Sequence, residues 1–147
     1  MPADMARVGS SVRSTPTARF ELVEMEKLHG HEMTQPPLLE CLIEEIKRDG
    51  YLKRPILVAD GDLVVLDGHH RLEALRALGC RRVPSYVVDY FSEFVHLTTW
   101  PTATVTLVSK EEVIRRGLSD DRFPPKTTRH TVLIILEDNP TDLEDLI

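Results

Sequence analysis

Residues 63–78 read LVVLDGHHRLEALRAL, and this stretch carries the clearest structural pattern in the sequence. Its four opening apolar residues end at Asp67-Gly68, and leucines and alanines then recur at helical spacing until Gly79. A short apolar run that stops at a glycine turn is typical of a buried strand, and the later spacing is typical of an amphipathic helix. The sequence therefore predicts a strand over residues 63–66, a sharp turn, and a helix over residues 69–78.

The first turn of the predicted helix carries three polar side chains, His69, His70 and Arg71. A helix N-terminus presents unpaired backbone N–H groups and the positive end of the helix dipole, so it favours anions. Two imidazoles and a guanidinium at this end predict a phosphate site. In the alternative interpretation the histidines are ordinary helix-start residues and Asp67 is the N-cap of the turn.

The composition is that of one soluble globular domain, with 147 residues, 41% hydrophobic and 29% charged. No apolar run approaches the roughly 20 residues that span a bilayer, so we expect no membrane partner. The net charge is −6, but five acidic residues lie in the last eleven positions, and the rest of the chain carries only −1. A nearly neutral body argues against a broad nucleic-acid surface, so DNA is not an expected partner.

The chain is expected to divide into three segments. Residues 1–18 are rich in Ser, Thr, Pro and Arg without an apolar h-region, which predicts a disordered leader rather than a secretory signal. Residues 19–136 carry the pattern of a folded domain, and residues 137–147 are predicted to be a mobile acidic tail or a single helical turn at 142–146. Cys41 and Cys80 lack a CxxC spacing, so we expect buried free thiols in a cytoplasmic protein rather than a zinc site.

The remaining pattern predicts an α+β fold, a small mixed sheet with packed helices in a single domain. Pro36 opens one helix that Gly50 ends, and Ser109 begins another through a capping box. Pro84 suggests an edge strand or the first residues of a strand. Further strands or extended segments are predicted at 20–23, 55–59, 82–90, 95–100, 104–108 and 131–136.

Three polar clusters fall in predicted loops or at element ends, where functional side chains usually lie. They supply two carboxylates and two groups of anion-binding side chains, which is what phosphoryl transfer requires. A serine nucleophile fits less well, because the sequence has no GxSxG motif. The clusters are His29, His31 and Glu32; Asp67, His69, His70 and Arg71; and Lys126, Thr127, Thr128, Arg129 and His130.

Each cluster also has a purely structural interpretation. Glu32 alone is most often a solvated loop acid, which becomes interesting only if it faces Arg71. Residues 126–130 could form a solvated basic loop. Trp100 is more often a core residue than a ligand contact, although its place beside Pro101 leaves a binding role open. The HGH pattern at residues 29–31 is too unspecific to predict a histidine-ligated metal.

Residues 65–75, VLDGHHRLEAL, resemble the central motif of the ParB/sulfiredoxin superfamily, a glycine turn followed by an arginine helix. The upstream stretch LLECLIEEIKRDGYLKRPILV is similar to the helix-then-strand segment of that superfamily, and the resemblance covers residues 20–131. Sulfiredoxins place a catalytic cysteine where His69 stands, so that chemistry is not expected. The chromosome-partitioning branch carries a helix-turn-helix domain after this one, for which the acidic end gives no sign.

The DGHHR core, the His-Glu pair before the first helix and the segment FPPKTTRH at 123–130 resemble the free serine kinase branch. Membership would imply phosphorylation of free L-serine with ADP or ATP and Mg²⁺. The rival hypothesis is a non-catalytic nucleotide-binding regulatory domain of the same superfamily. The resemblance implies these roles: Glu32 as catalytic base; Asp67 as the acid near Mg²⁺ and the phosphates; Gly68, His69, His70 and Arg71 as the phosphate-binding turn; Lys126, Thr127, Thr128, Arg129 and His130 as the segment that binds substrate carboxylate and phosphate; and Trp100 as a substrate-pocket aromatic.

Two substitutions follow from this resemblance. Glu32→Ala and Asp67→Ala are each expected to abolish most turnover and to leave the fold intact. The bidentate guanidinium of Arg129 is the expected partner of the substrate carboxylate.

Overall fold

The structure is a computed structural model that describes residues 18–103 and 108–147. The predicted leader and all but the last residue of the predicted extended segment 104–108 lie outside the described residues, apart from Ala18. The elements are β1 (Ala18–Glu24), α1 (Pro36–Asp49), β2 (Tyr51–Leu52), β3 (Ile56–Ala59), β4 (Val65–Asp67), α2 (His69–Ala77), β5 (Arg82–Val88), β6 (Val95–Thr99), α3 (Lys110–Gly117), β7 (Thr128–Val132) and β8 (Thr141–Asp142).

A four-stranded mixed sheet in the order β1-β5-β3-β4 forms the centre of the fold. β3 runs parallel to β5, and the other neighbours are antiparallel. Two-stranded ribbons, β6 with β7 and β2 with β8, complete the strands of the described residues. The α+β architecture that the sequence predicts is therefore confirmed.

The sheet has a hydrophobic core on each face, and β3 is therefore buried along its whole length. Ile56 and Val58 pack into the core that α1 and α2 cover. Leu57 and Ala59 alternate to the other face and pack in the core around Val113 of α3. A strand covered on both sides reads as a continuous apolar run rather than an alternating one.

β5 lies inside the sheet between β1 and β3, so the edge position suggested by Pro84 is wrong. The proline is tolerated because pairing with β3 begins only at Ser85, opposite Ile56. Pro84 thus precedes the part of the strand that has neighbours on both sides, which agrees with the alternative that it marks the first residues.

β7 begins three residues earlier than the predicted strand at 131–136 and ends at Val132. Its register with β6 runs from Thr99 opposite Thr128 to Val95 opposite Val132. Pairing with β6 draws polar residues into the strand, because cross-strand packing outweighs the intrinsic preference of the apolar stretch.

The acidic end of the chain packs on the domain, so the predicted mobile tail is wrong. Thr141 pairs with Leu52, a 3-10 turn spans Leu143–Asp145, and the Leu146 side chain is fully buried in the core beneath α1 and α2. The alternative of a helical turn at 142–146 is the one observed. The local sequence is dominated by five acidic residues, but packing of Leu143 and Leu146 on the core determines where the segment lies.

Both cysteines are free, but only Cys80 is buried. Cys41 is exposed on α1, so the expectation of a second buried thiol is wrong. No helix in the described ranges is long and apolar enough to cross a membrane.

Candidate functional site

A cleft of about 320 Å³ lies between the first turn of α2 and the loop before β7. Residues from all three predicted polar clusters line it, although they are far apart in sequence. The lining residues are Glu32, Leu42, Leu66, Asp67, Gly68, His69, His70, Arg71, Trp100, Lys126 and Thr128.

Gly68 makes the turn into α2 possible. Its φ is +106°, and a Cβ there would lie 2.6 Å from Ile56 Cγ2, so no other residue fits without displacing the core. Gly68 itself is the N-cap and no side chain caps the helix, so the alternative in which Asp67 is the cap is not observed. The uncapped first-turn N–H groups are therefore available to an anion in the cleft.

The two histidines of the turn act as acceptors for backbone N–H groups. His69 Nε2 accepts from the His31 N–H at 3.1 Å, and His70 Nε2 accepts from the Gln35 N–H at 2.9 Å. Burial lowers the pKa of His69 well below its usual value and, with Lys126 nearby, also lowers that of His70. Both rings are therefore neutral near pH 7, so these imidazoles add no positive charge to the predicted phosphate site.

Arg71 braces the turn. Its Nη1 donates to the carbonyl oxygens of Arg54 and Pro55 at 3.0 and 2.7 Å, and its Nη2 lies 3.3 Å from Asp67 Oδ2. Burial lowers the pKa of Arg71, with the Asp67 carboxylate opposing that shift. The Asp67 side chain is 65% exposed. Arg71 thus holds the Asp67 carboxylate at the mouth of the cleft.

Glu32 is only 8% exposed, which excludes the interpretation as a solvated loop acid. Its Oε1 accepts from the Lys126 N–H at 2.8 Å, and its Oε2 accepts from the N–H and the hydroxyl of Thr128 at 2.9 and 2.5 Å. Lys126 has φ +60°, a conformation that costs a non-glycine residue energy. The left-handed conformation occurs where the N–H groups of Lys126 and Thr128, two residues apart, both donate to the Glu32 carboxylate.

Trp100 forms a cationic wall with two side chains of the third cluster. The Arg129 guanidinium carbon lies 4.8 Å and the Lys126 Nζ 5.7 Å from the ring centroid. The Trp100 N–H of the backbone donates to the Thr127 carbonyl at 3.2 Å, which fixes this loop against the one before β7. Contact with two cations differs from the environment of an ordinary core tryptophan.

Three residues of the third cluster, Thr127, Arg129 and His130, are not among those that line the cleft, and two of these three point into the protein. The Thr127 hydroxyl donates to the Pro124 carbonyl at 2.7 Å. His130 Nε2 lies 2.9 Å from the Tyr90 hydroxyl, and burial lowers the pKa of His130 to about 3. Direct substrate contact is therefore better supported for Lys126 and Thr128 than for these two.

His31 is a site residue that sequence reasoning did not assign a role. It is fully buried behind Glu32, with Nδ1 at 2.8 Å from the Val65 carbonyl and Nε2 at 2.8 Å from Thr128 Oγ1. Burial lowers its pKa to about 4. Its position next to Glu32 in the sequence was a signal, but its partners lie more than thirty residues away.

The residues present fit a magnesium ion that arrives with phosphates. No group of three or more His, Cys, Asp or Glu side chains in the described part of the chain could hold a metal by itself. Mg²⁺ in phosphoryl-transfer sites is typically bound by one or two carboxylates together with phosphate oxygens. The exposed carboxylate of Asp67 beside the α2 N-terminus meets that requirement.

No protein-family model matches the chain. An ATP-dependent L-serine kinase of Staphylothermus marinus is 37% identical over 103 residues, which cover 66% of this chain and 41% of that protein. An ADP-dependent L-serine kinase of Thermococcus kodakarensis is 34% identical over 90 residues, covering 58% and 37%. The solved structure of a free serine kinase in complex with AMP matches with a TM-score of 0.77 at 21% identity, covering 88% of this chain and 93% of that one.

This chain has the fold of the free serine kinases. The predicted resemblance to that branch of the ParB/sulfiredoxin superfamily is confirmed by the fold and by the sequence similarity to L-serine kinases. The chain spans about two fifths of the length of the curated relatives it matches.

Proposed function

We propose that this chain phosphorylates free L-serine to O-phospho-L-serine, with ATP or ADP as the phosphoryl donor. The observation that carries the proposal is a buried, hydrogen-bonded carboxylate, Glu32, in the same cleft as an uncapped helix N-terminus. The similarity to L-serine kinases supports the choice of substrate and donor.

The donor phosphates would lie against the first-turn N–H groups of α2, since these groups have no side-chain cap. Asp67 would hold Mg²⁺ there, and the ion, when bound, neutralises charge on the phosphates. Arg71 supports this arrangement indirectly, because most of its donors are used by Asp67 and by two carbonyl oxygens.

Glu32 would be the base for the serine hydroxyl. Its Oε1 accepts one hydrogen bond, from the Lys126 N–H, which leaves acceptor capacity for a substrate hydroxyl. As the phosphoryl group is transferred, the serine O–H bond breaks, its proton binds Glu32, and the serine oxygen bonds to phosphorus. The bond from phosphorus to the bridging oxygen of the donor breaks at the same time, and ADP leaves from ATP, or AMP from ADP. The backbone donors fix the carboxylate before the substrate arrives, so little reorganisation is needed.

The cationic wall of Trp100, Lys126 and Arg129 would receive the substrate carboxylate. Both cations lie over the indole ring and carry charge opposite to that of the amino-acid carboxylate. A guanidinium can bind a carboxylate through two parallel hydrogen bonds.

One observation is also compatible with the alternative of a non-catalytic nucleotide-binding domain. Three donors on Glu32 are also what a purely structural tether of the loop at 124–128 would show. Nucleotide consumption with and without L-serine separates the two functions. Strict dependence on serine is expected of the kinase, and nucleotide binding without turnover is expected of the alternative.

The best test of Glu32 is Glu32→Gln, because Glu32→Ala would leave one buried and one partly buried N–H group without a partner and disturb the loop that they hold. We expect turnover to fall by about 10²–10⁴-fold, the usual contribution of a positioned base, with nucleotide binding retained. Asp67→Asn should lower turnover and weaken its dependence on Mg²⁺. Glu40→Gln, on the exposed side of α1, is the matched control. Undiminished turnover in Glu32→Gln would contradict the assignment.

The cytoplasmic location and the lack of DNA binding stay predictions.

A further inference from the structure

Four groups form a continuous hydrogen-bonded chain behind the cleft. It runs from the Val65 carbonyl through the His31 ring and the Thr128 hydroxyl to the Glu32 carboxylate, with successive distances of 2.8, 2.8 and 2.5 Å. His31 is fully buried and Thr128 is 7% exposed, and of the four groups only the Glu32 carboxylate and Thr128 line the cleft. The inference below rests on the proposed role of Glu32 as the base.

The number of hydrogens in this chain is one too few for all three contacts. The Val65 carbonyl can only accept, so His31 Nδ1 carries the hydrogen of the neutral ring and Nε2 becomes an acceptor. The single hydroxyl hydrogen of Thr128 then has two acceptors, His31 Nε2 at 2.8 Å and Glu32 Oε2 at 2.5 Å. The shorter contact and the negative charge favour Glu32 while the carboxylate is ionised.

We propose that Thr128 is a positioning residue whose hydroxyl hydrogen turns from Glu32 to His31 when Glu32 takes the substrate proton. The proton binds Oε1, which has acceptor capacity left, and the O–H bond of the substrate breaks. Oε2 loses its share of the negative charge and becomes a weaker acceptor than the imidazole nitrogen. No covalent bond to Thr128 or His31 changes. Only the hydroxyl rotates.

The surroundings of the chain favour a neutral His31. His69 of α2, His130 of β7 and Arg122 of the loop after α3 face the His31 ring, and burial together with Arg122 lowers the pKa of His31 to about 4. The carboxylate of Glu32 is faced by His70 from α2 and by Lys126 from the loop before β7. An imidazole that stays neutral remains an acceptor. The proposed rotation of the Thr128 hydroxyl from Glu32 to His31, called the switch below, requires such an acceptor.

The switch makes two substitutions act on Glu32 with opposite sign. Thr128→Val removes a donor to the ionised carboxylate, so the pKa of Glu32 should rise. His31→Asn keeps an N–H at the Nδ1 position but removes the Nε2 acceptor. The Thr128 hydrogen then stays on Glu32 in both protonation states, so the pKa of Glu32 should fall. Loss of packing alone has no reason to give shifts of opposite sign.

The test is a ¹³C NMR titration of the Glu32 side-chain carboxyl in the full chain, in the wild type and in each variant. We expect the titration midpoint of Glu32 to rise by about one pH unit in Thr128→Val and to fall by a smaller amount in His31→Asn. The first change corresponds to the loss of one hydrogen bond to a charged group. Thr128→Ser, which keeps the hydroxyl, should titrate like the wild type. Tyr90→Phe, which removes a partly buried hydroxyl–imidazole contact of similar length from His130, should also be unchanged. Shifts of the same sign, or none, would overturn the proposal.

A second measurement covers the case in which His31→Asn does not fold. In Glu32→Gln the acceptor is uncharged, so the ¹⁵N resonance of His31 Nε2 should move toward its hydrogen-bonded value. Adding Thr128→Val should reverse the change. An Nε2 resonance that is unchanged by both substitutions would refute the switch. Neither measurement needs turnover, so an inactive protein with the expected titrations would contradict the proposed kinase function and not the switch.

Discussion

Mild acid should destabilise this chain through histidines that the fold keeps neutral. Burial lowers the pKa of His31 from 6.5 to about 4 and that of His130 from 6.5 to about 3, and it also lowers the pKa of His69. The unfolded chain protonates these rings near their usual value, whereas the folded chain does not. Below pH 6.5 the unfolded state therefore binds more protons, and the free energy of unfolding falls as the pH falls.

The size of the effect follows from the same pKa values. Between pH 7.5 and 5.5 each ring that stays neutral in the folded state costs about 1.4 kcal/mol of stability, so His31 and His130 together cost about 3 kcal/mol. His69 adds to this loss. The two contributions continue to grow down to about pH 4 for His31 and about pH 3 for His130.

Urea denaturation at half-unit pH steps, followed by circular dichroism, measures this dependence. His130→Gln should reduce the pH slope by nearly one proton, whereas His96→Gln, at an exposed position of β6, should leave it as in the wild type. A free energy of unfolding that changes by less than about 1 kcal/mol over this range would show that the rings are not held neutral, and the acceptor role given to His31 would then lose its basis.

Two further predictions concern the turn and the C-terminal segment, each with a control on a nearby position. Gly68→Ala should lower the free energy of unfolding by about 1–3 kcal/mol more than Gly61→Ala in denaturant titrations, because both glycines have positive φ but only Gly68 would clash with Ile56. Equal losses would show that the clash is relieved at no cost. Leu146→Ala should cost about 2–5 kcal/mol, and Ile147→Ala about 0.5 kcal/mol or less, since the first side chain is fully buried and the second is 63% exposed. A mobile tail would give two small, similar values.

Local signals in the sequence predicted the helices well. Pro36 and Gly50 bound α1 as expected, and the Ser109 side chain accepts from the Glu112 N–H at the start of α3. Gly68 marks the turn into α2. Each of these signals depends on residues within one or two turns of each other, so a single stretch of sequence contains the whole cause.

Features that depend on distant partners could not be predicted. The interior place of β5, the register of β7 on β6 and the burial of Leu146 all depend on pairing or packing across the chain. Their local sequence gives no sign of those partners, and in the case of Leu146 the surrounding acids point the other way.

The site divides in the same way. Resemblance brought Glu32, Asp67, Trp100 and Lys126 together in advance, and all four line one cleft. The sequence could not indicate that His69 and His70 accept backbone hydrogen bonds or that Arg71 is bound to two carbonyl oxygens. Those contacts change the expected electrostatics of the turn, since the phosphate site then depends on helix N–H groups more than on side-chain cations.

The most direct test of the proposed function is ³¹P NMR of the purified chain with Mg²⁺, L-serine and either ATP or ADP. A new phosphomonoester resonance that requires serine is expected with at least one donor, and it should be lost in Glu32→Gln. The donor that produces it would also be identified. If neither donor gives the resonance although both nucleotides bind, the chain is not a serine kinase, and a regulatory nucleotide-binding domain becomes the better account.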